Sequence, residues 1–366
     1  MLKKIYIHNF RCFENFELDI DRLNLFIGPN GTGKSSVFHV LQKVKCLVNG
    51  MDKVSSLFTP DDLTVWQKSS VQTFRVEIEG NGGTYDYNLA IEHEKTKQRV
   101  RIAHEILLFN GNPLLKFDSG EAQLYLDDYS EGPVYPFDWN QSAVAALPSR
   151  HDNTRLTWFR ERLNRFAVVQ ILPMLMKEDS SIEESMPDYN MTNFVSWYRF
   201  VYQNQGKAIK ITNALKEILE GFDYFQFLKT GEEQRILRLS FSDKNREYFY
   251  RFNQMSDGQR MLIALYALIY YARSEDYTLC IDEPQSFVTL PEIQPWLMQV
   301  EKFCDEGELQ ALFISHHPEV IDYLALSSGY SFSRQVHTPT QAKRVKNDTD
   351  SGLPVSELIA SGWFDE

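Results

Sequence analysis

The most chemically specific stretch of the sequence is GPNGTGKS, residues 28–35. It matches the pattern G-x-x-x-x-G-K-[ST], in which glycines turn backbone amides toward a phosphate group. In this pattern Lys34 reaches the β- and γ-phosphates, and Ser35 ligates magnesium. We therefore expect a phosphate site formed by Asn30, Gly31, Thr32, Gly33, Lys34, Ser35 and Ser36.

The segments on both sides of this loop suit phosphate binding. LNLFI (23–27) is typical of a buried strand, and SSVFHVLQKV (35–44) places Val37, Leu41 and Val44 on one helical face. A loop between a strand and a helix presents its ligand to the positive end of the helix dipole. The sequence thus predicts ATP and Mg²⁺ as cofactors.

An acidic pair follows a second apolar strand in YTLCIDEP, residues 277–284. The first carboxylate, Asp282, can hold the magnesium shell, and the second, Glu283, can polarise an attacking water. Adjacent acids at a strand end are also common in helix caps and solvated loops. The preceding strand and the phosphate loop favour the catalytic interpretation.

Two further stretches carry candidate site residues. The turn at residues 256–259, Ser256-Asp257-Gly258-Gln259, precedes the long apolar segment MLIALYALIYYA (261–272). A hydroxyl and free amides at a helix start would form a second anion site. In LQALFISHHPEV (309–320), a buried strand ends before His316 and His317. A neutral His316 could hydrogen-bond to a γ-phosphate or to the attacking water, although strand-end histidines are often structural.

The order GPNGTGKS, MSDGQR, CIDEP and FISHHP resembles the ABC-type ATPase heads of the RecF, SMC and OLD-related families. It resembles most closely the compact prokaryotic AAA-type ABC ATPases, many of which are found in phage-defence operons. The resemblance covers roughly residues 1–50 and 250–325. It implies a head-to-tail homodimer or higher oligomer, in which the turn at 256–259 closes over the γ-phosphate bound by the partner subunit.

The same resemblance implies roles for single residues. Glu283 matches the catalytic glutamate and His316 the switch histidine, with His317 as the open alternative. A glutamine that senses magnesium is also expected. Gln170, which follows the apolar strand in FAVVQILPML, is the preferred candidate, and Gln72 is the second.

The predicted fold class is α/β: an ABC-type P-loop ATPase head with a mixed central sheet, an antiparallel β subdomain and a helical insertion. Residues 72–111 alternate polar and apolar side chains, which indicates an antiparallel meander. The predicted domains are an N-terminal ATPase lobe (1–175), a mainly helical insertion (176–235) and a C-terminal ATPase lobe (236–366).

Composition limits the possible binding partners and the cellular location of the protein. A net charge of −12 argues against a surface that attracts nucleic acid or anionic lipid everywhere. Six basic residues predict a local basic groove for DNA or, alternatively, a solvated helix face: Lys207, Lys210, Lys216, Arg160, Arg162 and Arg165. The four cysteines include no C-x-x-C pair, and no signal peptide or membrane span is apparent, so we expect a cytoplasmic protein without membrane contact.

Three functions fit these motifs. In the first, ATP closes a dimer that controls a separate effector protein, such as a nuclease, in anti-phage defence. A separate effector is expected because the roughly fifty residues after His316 are too few for the Toprim domain of OLD-type nucleases. The second is a RecF-like ATPase that acts directly on DNA in repair. The third is a transporter nucleotide-binding subunit, which requires an aromatic side chain on adenine, for which Phe10 or Phe13 are candidates.

Overall fold

The computed structural model describes residues 1–94, 99–118, 120–244, 246–346 and 353–360. The strands in these residues are β1 (Leu2–His8), β2 (Phe16–Asp19), β3 (Leu23–Ile27), β4 (Val71–Gly80), β5 (Gly83–Glu94), β6 (Arg99–Phe109), β7 (Asn112–Asp118), β8 (Glu121–Tyr125), β9 (Glu131–Pro136), β10 (Phe166–Val169), β11 (Asp179–Ser180), β12 (Phe222–Lys229), β13 (Arg235–Asp243), β14 (Arg246–Arg251), β15 (Thr278–Asp282), β16 (Gln310–Ile314), β17 (Gly329–Ser333) and β18 (Gln341–Arg344). The α-helices are α1 (Lys34–Val48), α2 (Val54–Leu57), α3 (Ala143–Ala146), α4 (Thr154–Asn164), α5 (Phe194–Gln203), α6 (Gln205–Lys216), α7 (Asp257–Ala272), α8 (Leu290–Asp305), α9 (Pro318–Ser328) and α10 (Val355–Ala360).

The chain divides into two compact units, and the predicted α/β class is confirmed. The first unit comprises Met1–Phe166 and Ile321–Glu366, and the second comprises Ala167–Val320. The first therefore contains the phosphate loop, and the second contains the acidic pair and both histidines. The predicted domain limits at residues 175 and 235 stay predictions.

An eight-stranded sheet dominates the first unit. Its strand order is β2-β1-β4-β5-β6-β7-β8-β9, and every neighbouring pair is antiparallel. The turn between β4 and β5 has positive φ at Asn81 and Gly82, the conformation that joins two twisted strands most tightly. The predicted meander over 72–111 is thus confirmed, and it continues to Pro136.

The strand before the phosphate loop is fully buried. β3 pairs in parallel with β17, which pairs antiparallel with β18, so this part of the first unit has mixed strand directions. The closing strands and short helix predicted near the C-terminus are β17, β18 and α10. Val37, Leu41 and Val44 on α1 are all buried, as their helical spacing predicts.

The second unit combines parallel strands with a small antiparallel sheet. β15 and β16 pair in parallel, and β10 lies beside β15. The antiparallel sheet has the order β11-β13-β12, with β14 also paired to β13. The segment 176–235, predicted to be mainly helical, contains α5 and α6 but also β11 and β12. No helix among the described residues has the length and apolar composition that a bilayer crossing requires.

Candidate nucleotide-binding site

Glycine conformation shapes the phosphate loop. Gly28, Gly31 and Gly33 have φ values of 131°, 80° and 99°, which other residues rarely adopt. A Cβ on Gly28 would stand 2.2 Å from the backbone oxygen of Phe332 on β17. The loop then enters α1, which begins at Lys34. The sequence pattern therefore encodes a backbone path that only glycine permits at residue 28.

Lys34 is held inside this loop. Its side-chain Nζ donates hydrogen bonds to the carbonyls of Gly28 (2.7 Å) and Pro29 (2.8 Å), and the residue is only 5% exposed. The Thr32 hydroxyl donates to the Pro29 carbonyl as well, at 2.8 Å. Glycine turns, a buried cation and a helix start are the donor set that a polyphosphate requires, so the residues present fit the predicted nucleotide.

Arg11 adds a second cation at this place, which the sequence did not reveal. Its guanidinium lies 3.4 Å from the Ser36 hydroxyl and 2.8 Å from Nδ1 of His39. Burial, followed by the charges of Arg11 and Lys43, lowers the pKa of His39, so the imidazole stays neutral and accepts from Arg11. The only local sequence signal that could have pointed to Arg11 is the segment NFRCF, which forms a tight turn in the structure, with a positive φ of 51° at Arg11.

The acidic pair in the second unit is built into a turn, with Asp282 buried and Glu283 half-buried. Asp282 ends β15 and is 6% exposed. Glu283 has a positive φ of 53°, and its backbone amide donates to the Ile314 carbonyl at 3.0 Å. The side-chain amide of Gln285 donates to the Glu283 carboxylate. These contacts hold the carboxylate at the end of the parallel strands.

The structure distinguishes the two adjacent histidines. Nε2 of His316 lies 3.6 Å from Oε1 of Glu283, whereas Nδ1 of His317 lies 3.9 Å from the Glu319 carboxylate. His316 is thus the histidine beside the candidate catalytic glutamate. A base that contacts an orienting imidazole is a common arrangement for activating water.

The two candidate glutamines have different surroundings. Gln170 directly follows β10, and its backbone amide donates to the Tyr189 carbonyl at 2.7 Å. Burial, followed by the negative charge of Asp282, raises the pKa of the Tyr189 phenol, so Tyr189 lies near that carboxylate. Gln72 is fully buried in the first unit, and its side-chain nitrogen donates to the carbonyls of Asn9 and Asp62, each at 3.1 Å.

The turn at residues 256–259 forms a complete N-terminal cap of α7. The Ser256 hydroxyl accepts from the Gln259 amide (3.2 Å), and the Gln259 side chain accepts from the Ser256 amide (3.0 Å). Asp257 forms a 2.6 Å ion pair with Arg260. A Cβ on Gly258 would stand 2.8 Å from the Phe287 carbonyl, so the loop after the acidic pair packs directly on this helix start.

Comparisons with known proteins agree with this geometry. Residues 1–106 match the family model described as an AAA ATPase domain. A solved SMC head bound to the C-winged helix domain of ScpA is similar over 96% of this chain and 99% of that one, with a TM-score of 0.59 and 9% identity. An SMC head with an extended coiled coil, bound to the C-terminal domain of ScpA from Pyrococcus furiosus, is similar over 94% of this chain and 96% of that one, with a TM-score of 0.55 and 9% identity. The SMC head domain from Thermotoga maritima is similar too, at 14% identity and a TM-score of 0.51, over 94% of this chain and 99% of that one. Residues 1–106 thus resemble an AAA ATPase domain, and the chain has the fold of an SMC head.

The resemblance to RecF, SMC and OLD-related ATPases that the motif order implies is thereby confirmed. An OLD nuclease from Thermus scotoductus is 39% identical over 44 residues, which are 12% of this chain. The match spans only 8% of the length of that nuclease.

Two of the predicted roles are wrong. Arg162 is 1% exposed and packs over the Phe166 ring, so it cannot line a DNA groove. Phe10 and Phe13 are both 0% exposed, so neither can stack on adenine as the transporter hypothesis requires. Among the other basic residues predicted to line the groove, Lys216 forms an ion pair with Asp223 at 2.6 Å. Periodicity did not reveal these environments because each depends on tertiary packing.

Asp62→Asn is expected to destabilise the ATPase domain by about 3 kcal/mol, because it leaves two cations without their shared carboxylate. Asp62 lies 3.0 Å from Arg11 and 2.7 Å from Lys43, and its side chain is 8% exposed. Burial disfavours this carboxylate, but hydrogen bonds and charge from Lys43 and Arg11 outweigh burial and lower its pKa.

A lowered pKa contributes stability above the unfolded-state pKa, about 3.9, and that contribution is lost as pH falls through the folded-state pKa. Urea unfolding at neutral pH should therefore show a lower free energy of unfolding for Asp62→Asn than for the unmodified protein. This difference should be smaller near pH 3. Asp61→Asn, at the exposed neighbouring position, is the matched control. An equal difference in the free energy of unfolding at both pH values would exclude the carboxylate charge as the cause.

For the head-to-tail dimer that the motif order predicts, Gly258→Asp is expected to leave nucleotide binding intact and to block closure. The new side chain would displace the Phe287 carbonyl and place a negative charge where an anion should dock. Nucleotide affinity should change by less than about twofold, while ATP-dependent association disappears. Gly206→Asp is the control, since Gly206 is likewise the second residue of a helix, α6. Association that survives in Gly258→Asp would contradict this role.

Proposed function

We propose that this protein binds ATP with Mg²⁺ and hydrolyses it, and that two copies close head to tail on ATP and open after hydrolysis. The observation that carries the proposal is the phosphate loop, where the Lys34 ammonium is bound to two loop carbonyls at the start of α1. The match of residues 1–106 to an AAA ATPase domain supports the same activity.

Each site residue has a proposed role. Ser35, Asp282 and Gln170 would hold Mg²⁺, which supplies charge neutralisation on the phosphates when it is bound. Hydroxyl, carboxylate and amide oxygens are the ligands that this cation prefers, and Asp282 is a buried carboxylate. Glu283 takes the proton of the attacking water, and His316 orients the carboxylate from 3.6 Å.

The turn at residues 256–259 is proposed to bind the γ-phosphate held by the partner subunit. Its support is the helix start at Asp257 and the absence of a side chain at Gly258, where Phe287 approaches closely. Because this turn packs on the loop after Glu283, docking of a phosphate there would also position the base. Closure and hydrolysis would then be coupled.

We further propose that the dimer controls a separate effector, a nuclease or a toxin, in cytoplasmic anti-phage defence. Two of the similar SMC heads are bound to domains of ScpA, a different polypeptide. The short match to an OLD nuclease favours a nuclease as the effector. The defence role follows from the resemblance to ATPases of phage-defence operons.

Direct action on DNA is the second candidate function, and one observation favours it. The edge strand β14 exposes all six of its residues, and its three aromatic residues, Tyr248–Tyr250, lie between Arg246 with Glu247 on one side and Arg251 on the other. Aromatic rings between basic side chains are typical of surfaces that bind single-stranded nucleic acid.

One assay compares the two candidates. ATP hydrolysis by the purified chain is measured at physiological salt with Mg²⁺, alone and with single- or double-stranded DNA. Effector control predicts hydrolysis that DNA changes by less than about twofold, and Arg246→Glu should leave it unaltered. Strong stimulation by DNA that Arg246→Glu removes would favour the second function. No hydrolysis under any condition would contradict both.

A further inference from the structure

A large cleft on the first unit contains none of the residues of the phosphate loop. Its volume is about 1090 Å³, and its lining includes His93, Arg99 and Arg101 near the end of β5 and the start of β6. Trp139 and Asn140 line it as well. Clefts of this size accommodate ligands as large as a nucleotide.

The buried group in this cleft is a hydrogen-bond acceptor without a donor. His93 is 2% exposed, and its Nε2 lies 2.9 Å from the Gln72 side-chain oxygen. The Gln72 nitrogen already donates to two carbonyls, so its oxygen must accept and His93 Nε2 must carry the proton. Nδ1 is then a bare lone pair, and it has no hydrogen-bond partner. A buried polar atom of this kind calls for a donor from a ligand.

The wall of the cleft offers a planar surface and two arginines, with the carboxylates of Glu94 and Asp138 also in the lining. The Arg101 guanidinium lies 4.4 Å from the centre of the Trp139 ring, and Glu92 holds it there through a 2.7 Å ion pair. A guanidinium fixed on an indole leaves its second face for another flat ring. Arg99 is exposed at the rim and can bind an anion.

We propose that this cleft binds a second nucleotide, separate from the one on the phosphate loop. Its base would stack on Arg101 and donate an N–H to Nδ1 of His93, and its phosphate would pair with Arg99. The combination of a flat ring, a hydrogen-bond donor and an anion in one small molecule is the chemistry of a nucleoside phosphate.

The cleft is connected to the phosphate loop within the first unit. His93 contacts Gln72, which donates to the Asp62 carbonyl at 3.1 Å. The Asp62 carboxylate binds Arg11 at 3.0 Å, and Arg11 lies 3.4 Å from the Ser36 hydroxyl. A ligand that orders His93 would therefore shift Arg11 beside the loop, so the bound nucleotide would regulate hydrolysis. This second step rests on the proposed ATPase function.

The binding step is tested in the Lys34→Ala protein, whose phosphate loop is disabled. Calorimetric titration with AMP, CMP, GMP and UMP is expected to show binding of at least one of them. Arg99→Ala and Arg101→Ala, each added to Lys34→Ala, should weaken that affinity by about tenfold or more. Lys116→Ala is the matched control, because Lys116 lies over Tyr125 in the same sheet but outside the cleft. Thermal unfolding verifies that each variant is folded.

Two results would overturn the binding proposal. The first is the absence of binding by all four nucleotides to Lys34→Ala, whether or not they bind when Lys34 is present, and the second is an affinity that is unchanged in both arginine variants. The regulatory step is tested separately in the unmodified chain, where the bound nucleotide should change the rate of ATP hydrolysis. Asp62→Asn keeps the carbonyl that Gln72 contacts but loses the charge that binds Arg11. It should therefore retain nucleotide binding in the cleft but lose that change, and an equal change in Asp62→Asn would refute the connection. A chain without ATPase activity would refute the proposed function and leave the binding result standing.

Discussion

Lys34→Ala is expected to abolish detectable ATP binding, with affinity reduced by at least about a hundredfold, or roughly 2.7 kcal/mol. The ammonium is 5% exposed and fixed by the carbonyls of Gly28 and Pro29, so its position is set before any phosphate arrives. A preorganised, desolvated cation interacts with phosphate far more strongly than a mobile surface lysine does. Titration with a non-hydrolysable ATP analogue measures the loss.

The variant also removes two hydrogen bonds from the loop, so a structural effect must be separated from a binding effect. Loss of these bonds is worth about 1–3 kcal/mol of folding free energy. Lys34→Arg is the informative companion, because it keeps the charge while its larger planar head does not fit the same two carbonyls. Both variants should unfold at similar temperatures, and neither should bind tightly. ATP binding at full affinity by Lys34→Ala would place the nucleotide elsewhere.

The phosphate loop was predictable because its conformation depends on local glycines. All three glycines of GPNGTGKS have positive φ, so residue type and backbone geometry coincide without tertiary information. The buried face of α1 followed from apolar spacing for the same reason. The meander followed from alternation and from the Asn81-Gly82 turn.

Sequence reasoning missed the contacts that long-range packing creates. Arg11 and Asp62 are 51 residues apart, yet they form one ion pair beside α1. Tyr189 approaches Asp282 from a segment without regular structure. Gln72 follows no local rule that separates it from Gln170, and only its burial and three hydrogen-bond partners reveal its structural role.

Long-range packing also explains why residues 222–229 form a strand in a segment that was predicted to be mainly helical. The segment FDYFQFLK has apolar residues at spacings that fit a helix as well as a strand. Its aromatic residues favour a strand only because β13 pairs along its whole length. Arg162 likewise occupies a helix position that appears solvated until Phe166 packs against it.

Glu283→Gln is expected to slow hydrolysis by about 10²–10⁴-fold while ATP remains bound. Glutamine has nearly the shape of glutamate and keeps an oxygen for the amide of Gln285, but it cannot take a proton from water. The positive φ at this position belongs to the backbone and is unaltered by the exchange. ATP should therefore bind without being cleaved, and the closed dimer should accumulate.

Chromatography with light scattering, with and without ATP, measures this accumulation as a doubling of mass. Glu319→Gln is the matched control, since Glu319 contacts His317 and not His316. Adding Gly258→Asp to Glu283→Gln should return the protein to the monomer with ATP still bound, because the turn at residues 256–259 could no longer receive the partner's phosphate. A Glu283→Gln protein that binds ATP and stays monomeric would refute the shared site. Closure that depends on both Glu283 and Gly258 would mean that ATP hydrolysis is coupled to assembly of the two heads.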